Sequence, residues 1–355
     1  MRLNAPLSRF DLLIYGRYRL VHGLRIALAF TLTFLLTREL KLPESTWPLI
    51  TLVVVMGPIS LLSRALQRVV GTVFGAACGV VALYLELYSL PLMLAWCCAI
   101  MFLCGYLALG KRPYVGLLIG ITLGVIVGGV PGDIETALWR SGDVILGSVL
   151  ALLFCSIYPQ RAYTHWRLQM HDTLQQAGRL YHTHLSPNVL ERPKLTRSHA
   201  RLLAKIVSLR PLLAPAVKET RLGSPLFEAT QTTLRNSVCT LEMLANTYWR
   251  DRQSHFLMQS HPGLRACQQA TESVLTELAL MLKSGDTTAA DQAIGRLQAA
   301  AARLDGDASQ APGQGHDPTL GGYLWLNLHL IEQLTHLHRL LGLVLQPYAK
   351  PSARP

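Results

Sequence analysis

The fold class predicted is an all-α integral membrane protein, a six-helix transmembrane domain followed by a cytoplasmic α-helical bundle. Three observations predict it. Six apolar stretches crowd into the first 160 residues, charge is scarce there and ordinary afterwards, and no alternating strand pattern follows the apolar half. The predicted division is 1–160 for the membrane half, opened by a short basic amphipathic segment, and 161–355 for the cytoplasmic half.

The apolar stretches run over 21–37, 47–62, 69–87, 90–109, 114–130 and 141–158. Crossing a hydrocarbon core takes about 20 helical residues, with about 17 as a practical minimum, so the second is marginal and the others suffice. With no water to satisfy backbone groups in hydrocarbon, each stretch must be helical. Of the 355 residues, 12 basic and 7 acidic precede Pro159, against 21 and 14 after it, which makes the first half too poor in charge for a water-soluble domain. No cleavable signal or transit peptide is evident, so the spans themselves are expected to hold the chain in the membrane.

Orientation follows from Lys and Arg. Arg2, Arg9, Arg17, Arg19 and Arg25 precede or open the first stretch, Arg64 and Arg68 follow the second, Lys111 and Arg112 the fourth, and Arg161 and Arg167 the sixth; the alternate loops hold only Arg38, Lys41 and Arg140. Eleven against three puts both termini in the cytoplasm. The seven cysteines are odd in number and lack metal-ligand spacing with histidine, so they read as small apolar packing residues.

Glycines supply the next signal. Gly71, Gly75 and Gly79 recur every four residues in the third stretch, as do Gly116, Gly120, Gly124 and Gly128 in the fifth. Each row forms a groove along one helix face where another backbone can approach closely. Arg68 stands three residues before Gly71 on the same face, which points to a lined cavity.

Two stretches share a pattern: Arg68-Val-Val-Gly71-Thr72-Val-Phe-Gly75 and Arg140-Ser-Gly-Asp143-Val-Ile-Leu-Gly147 both open a span with Arg and place Gly seven residues later. With Arg25 early in the first span, Trp47-Pro48 opening the second and a helical tail, the chain resembles the fusaric acid resistance family within the aromatic acid exporter group, marked by R-x-x-G-T-x-x-G. Full-length relatives in that group carry two membrane halves and this chain carries one. The resemblance therefore implies a homodimer, which would give the glycine grooves a partner. It also implies efflux of small aromatic or hydrophobic organic acids; a periplasmic adaptor stays unidentified.

Ionisable groups in or beside spans mark pathways by default, and the candidates are Arg25, Arg64, Arg68, Arg140 and Asp143. Arg25 and Arg64 also read as snorkelling topology anchors. Arg140 and Asp143, at i and i+3, also read as a helix-end salt bridge. In the functional reading Arg68 and Arg140 attract a substrate carboxylate, Thr72 donates a hydrogen bond, and Asp143 takes up and releases a proton.

Enzyme chemistry finds no residues to stand on. Gly105-Tyr-Leu-Ala-Leu-Gly110-Lys111-Arg112 imitates a phosphate-binding loop but ends in Arg where Ser or Thr must ligate magnesium, and it lies within a span instead of after a strand. His182, His184, His329, His336 and His338 lack a carboxylate partner at ligand spacing, so no metal or cofactor is expected.

The second half predicts helices over about 161–185, 195–209 (ended by Pro211), 225–249, 262–283, 287–304 and 320–345, with a flexible linker at 305–318 rich in Gly, Pro and Asp. The last is apolar along one stripe but carries Asn327, His329, Glu332, Gln333, His336, His338 and Arg339, which makes it a bundle helix and not a seventh span. Lys194, Arg197, Arg201 and Lys205 form a basic stripe open to three readings: a solvated face, contact with anionic lipid headgroups, or a funnel for anions. Without aromatic interleaving it does not read as a nucleic-acid surface. Two function classes remain, a proton-coupled exporter of small organic anions and a nontransporting membrane anchor whose helical bundle binds a partner or senses the envelope.

Overall fold

A computed structural model describes residues 5–42, 46–56, 61–110, 113–128, 134–157, 161–185, 193–250, 252–309 and 318–346. All its described regular structure is helical, and it divides into two units, 17–160 and 1–16 with 161–355. After α1 (Arg9–Gly16), the first unit holds α2 (Tyr18–Glu39), α3 (Thr46–Val55), α4 (Leu61–Glu86), α5 (Leu90–Ala108), α6 (Pro113–Val127) and α7 (Ile134–Ile157). These six overlap the six apolar stretches of the sequence, but the second stretch, 47–62, outruns α3 and reaches the start of α4. Of the described residues, three helices are long and apolar enough to cross a membrane, Tyr18–Glu39, Leu66–Glu86 and Leu90–Ala108. Thr46–Val55, Pro113–Val127 and Gly142–Phe154 are apolar but shorter. The brevity of α3 has a sequence cause, since Gly57 and Pro58 follow it and proline disfavours helix in the residue before it.

In this unit α4 is central, packing against α5, α6 and α7, while α3 packs against α2 and α7. One apolar core joins Ala29 of α2, Leu52 and Val55 of α3 and Ala151 of α7; another joins Ala82, Met93 and Leu123 from α4, α5 and α6. The outward faces are as apolar as the cores. Only 11% of the most apolar window of α5 is buried, and Phe74, Phe102, Leu24 and Leu28 point out, a pattern that fits lipid and not water.

The second unit comprises α1 with α8 (Ala162–His184), α9 (Thr196–Ser208), α10 (Arg210–Thr220), α11 (Ser224–Tyr248), α12 (Arg252–Ser260), α13 (Pro262–Ser284), α14 (Thr288–Ser309) and α15 (Pro318–Leu345). Its core is built on α8, where Trp166 meets Phe227 edge to face at 5.0 Å and the Tyr163 hydroxyl donates to the Val344 carbonyl. The two Glu219 carboxylate oxygens, from α10, accept the Ala162 and Tyr163 amides at 2.8 and 2.9 Å, so a distant helix caps the start of α8. At the other end of α13, Gly285 stops the helix with φ 79°, a left-handed conformation that glycine adopts without a Cβ penalty.

Three expectations need correction. Residues 1–16 belong with this second unit and not with the spans: the Leu7 amide donates to the Lys283 carbonyl, and Arg167 donates to the Leu282 carbonyl through Nε and Nη2 and to the Ala5 carbonyl through Nη1. That guanidinium caps the C-terminal end of α13 and holds the N-terminal segment with one side chain. Pro211 does not end a helix but opens α10, because at the first turn its missing amide has no partner to lose; α12 also went unread. The linker begins later than expected, since α14 continues through Ser309, and residues 310–317 lie outside the described ones. The polar residues of α15 are used inside the unit: Thr240 donates to Gln333, and Asn327 donates to the Tyr323 carbonyl.

Candidate functional site: a buried arginine among the spans

On α4, Arg68 and Thr72 are one turn apart and share a face, and both are buried, at 7% and 2% exposure. The Arg68 guanidinium donates one long hydrogen bond, Nη2 to Thr51 Oγ1 at 3.4 Å, and its buried Nε has no acceptor. Among the described residues no carboxylate forms an ion pair with it. An arginine stays charged at any physiological pH, so this is a fixed buried cation with donors to spare.

Beside it lies a cavity lined by Trp47, Arg68, Thr72, Leu118, Thr122 and Val144, from α3, α4, α6 and α7. Its empty space, mouth included, is about 380 Å³. The enclosed part has room for about one water, too little to seat an aromatic acid. Chemically, a spare fork of N–H donors and a threonine hydroxyl on apolar walls suit the carboxylate of an apolar ligand.

Glycine decides how closely these walls approach. A Cβ at Gly71 would lie 2.7 Å from Leu118 Cβ, one at Gly75 2.6 Å from Thr122 Cβ and 2.9 Å from the Ile119 carbonyl oxygen, and one at Gly79 2.8 Å from Ile126. This row is the seam between α4 and α6. At Gly116 a Cβ would meet the Cys104 carbonyl oxygen at 2.8 Å, on α5, whereas Gly120 has ordinary contacts, Gly124 has open space, and Gly128 meets only its own helix. A close approach of another helix is found at Gly71, Gly75, Gly79 and Gly116 and not at Gly120, Gly124 or Gly128, and for the first four the dimer role is corrected. Neighbouring spans of the same chain already occupy those faces.

Sequence reasoning grouped Arg68 with Thr72, and both line this cavity. It did not include Thr51, Trp47, Thr122 or Gly147. A Cβ at Gly147 would come within 2.6 Å of the Pro48 carbonyl oxygen and 2.9 Å of Thr51 Cβ, so this glycine lets α7 press on α3 and fixes Thr51 near Arg68. The available signal was Thr51, one helical turn after Trp47 in an otherwise apolar run. Asp143 is buried on α7, one residue before the cavity-lining Val144, and it is engaged in contacts of its own. The side chains of Arg140 and Arg64, and Lys111 and Arg112 entirely, lie outside the described residues. Arg25 does not line the cavity; its Nη2 lies 3.2 Å from His22 Nδ1, on its own helix.

In the second unit the basic stripe is shorter than expected. Lys194, Arg197 and Arg201 are exposed, but Lys205 is half-buried and paired with Asp172 at 3.8 Å. Burial pulls its ammonium below the usual lysine range, and Asp172 opposes that shift. A histidine and aromatic cluster sits deeper. His184 packs edge to face on Tyr181 and Tyr248, and burial, with His199 nearby, pushes its pKa down to about 3. Among the described residues no three His, Cys, Asp or Glu side chains gather into a metal-holding group.

Two likenesses bear on this arrangement. The model of the Fusaric acid resistance protein family matches residues 19–349, across both units. The chain is 48% identical over 350 residues to "Inner membrane protein YeeA" of Escherichia coli (strain K12), covering 96% of this chain and 98% of that protein. With its apolar spans, its glycine seam and its buried arginine, the chain belongs to the fusaric acid resistance protein family.

Proposed function

We propose that the protein is an inner-membrane transporter that exports small aromatic or otherwise hydrophobic organic acids, with Arg68 as the group that receives the carboxylate. The observation that carries this reading is the buried Arg68 guanidinium, with one long bond to Thr51 and an unused Nε, beside a cavity of apolar walls and threonine hydroxyls. A fixed buried cation without an ion pair is costly, and a site that binds anions for part of its cycle accounts for retaining one. The small cavity fits alternating access, in which the α4 and α6 seam must part on one side before a ligand enters.

In this reading all six apolar helices cross the membrane and both termini are cytoplasmic, following the arginine and lysine distribution. Asp143 couples export to protons, and Arg140 helps to attract the anion. The half-size membrane unit works as a homodimer through faces other than the Gly71, Gly75 and Gly79 row. The likeness to "Inner membrane protein YeeA" supports the location.

The test is intracellular accumulation of radiolabelled benzoate in a deletion strain carrying the wild-type or variant protein. Wild type should lower accumulation, Arg68→Ala should restore it to the level of the deletion, and membrane insertion should be unchanged. If wild type and deletion accumulate equally across a panel of aromatic carboxylic acids, export is wrong and the anchor-and-bundle alternative takes its place.

A further inference from the structure

The second unit carries a groove between α9, α10 and α11 that no part of the proposed transport path uses. Its volume is about 480 Å³, within the range for small-molecule sites. One wall is apolar, with Ile206, Val207 and Leu213; the rest carries Arg210 and Arg235, with Thr232 and Glu228. The Gln231 amide, donating to the Ile206 carbonyl at 2.7 Å, ties α11 to α9 and keeps the groove's floor rigid.

The charges do not balance within the groove. Glu228 is the acid of its lining, and its carboxylate already accepts the Ser224 hydroxyl at 2.7 Å. Arg210 and Arg235 are exposed, and among the described residues neither makes an ion pair or a side-chain hydrogen bond. Two guanidinium forks on one groove leave a positive site with planar donors, the geometry that matches a carboxylate.

We infer that this groove binds a small amphipathic organic anion, a carboxylate held by Arg210 and Arg235 with its apolar body against Ile206, Val207 and Leu213. A bare inorganic anion would leave the apolar wall wet, and a neutral apolar ligand would leave the guanidinium pair uncompensated. The site lies wholly within the second unit and shares no residue with the Arg68 cavity, so it does not depend on the transport reading.

The experiment uses the full-length protein in detergent, with benzoate, benzyl alcohol and inorganic phosphate as probes and hydrogen–deuterium exchange as the local readout. Benzoate should slow exchange in segments 206–214 and 224–235, and the other two probes should do so far less. Arg210→Gln with Arg235→Gln should raise the benzoate concentration needed by about tenfold or more, and Arg210→Lys should do so by less than Arg210→Gln. Arg68→Ala should leave the protection of these segments intact, which separates failure here from failure of the membrane site. The proposal is overturned if benzoate protects neither segment, if protection survives the double Arg→Gln variant, or if phosphate or benzyl alcohol protects as well as benzoate.

Discussion

Replacing Gly75 with Ala adds one methyl group to the seam between α4 and α6, and the structure sets its consequence. The new Cβ would stand 2.6 Å from Thr122 Cβ, 2.9 Å from the Ile119 carbonyl oxygen and 3.2 Å from Ile119 Cα, all inside the 3.4 Å at which ordinary van der Waals contact begins. Two of those three atoms are backbone and cannot rotate aside, so α6 itself must retreat, and the neighbouring close approaches at Gly71 and Gly79 resist that retreat. Overpacking of this kind costs about 1–3 kcal/mol, and the backbone contact argues for the upper part of the range. Alanine's helix preference over glycine returns about 1 kcal/mol, leaving a net loss of about 1–2 kcal/mol. Gly124→Ala is the internal control: its Cβ meets nothing within 4 Å, so helix preference acts alone and the protein should be unchanged or stabilised by up to about 1 kcal/mol. Thermal unfolding in detergent, read as the monodisperse fraction surviving each temperature, should move in opposite directions for the two variants. Equal shifts of the same sign would show that the seam does not hold α4 against α6 as described.

Acid should weaken the second unit through His184. Its folded pKa of about 3 lies below the ordinary value of 6.5, so the unfolded chain binds the proton more readily; stability is fully present above pH 6.5 and falls by about 1.4 kcal/mol per pH unit below it. His199, also held low by burial, acts in the same direction. Melting at pH 7 and pH 5 should therefore diverge more in wild type than in His184→Phe, and equal divergence would remove His184 from the account. Glu219→Ala should cost about 1–2 kcal/mol by exposing the two amides that open α8, and Glu219→Gln should recover part of it, measured by denaturation of the full chain. Asp143→Asn should leave benzoate export measurable but independent of the imposed pH gradient, because an amide does not exchange the proton; retained pH dependence would assign coupling elsewhere.

Much of the site was legible in one dimension because it lies along one helix. Arg68, Gly71, Thr72 and Gly75 share a face of α4 by helical period alone, and a charge beside a glycine row in an apolar run has few structural explanations. Periodicity gives the face and says nothing of what meets it. The glycine rows were assigned a second copy of the chain, yet the partner of Gly71, Gly75 and Gly79 is α6, and that of Gly116 is α5.

By itself the sequence determined most of the helices, the apolar stretches and the basic bias between them, since these follow from local period, composition and the absence of water in hydrocarbon. Tertiary structure alone decided that Thr51 holds Arg68, that Lys205 leaves the basic stripe for Asp172, and that residues 1–16 dock on the unit that begins at Arg161. Each of these joins groups far apart in the sequence through directional contacts. A hydrogen bond or ion pair between distant positions leaves no period in the sequence, and only the packing of the helices brings its two ends together.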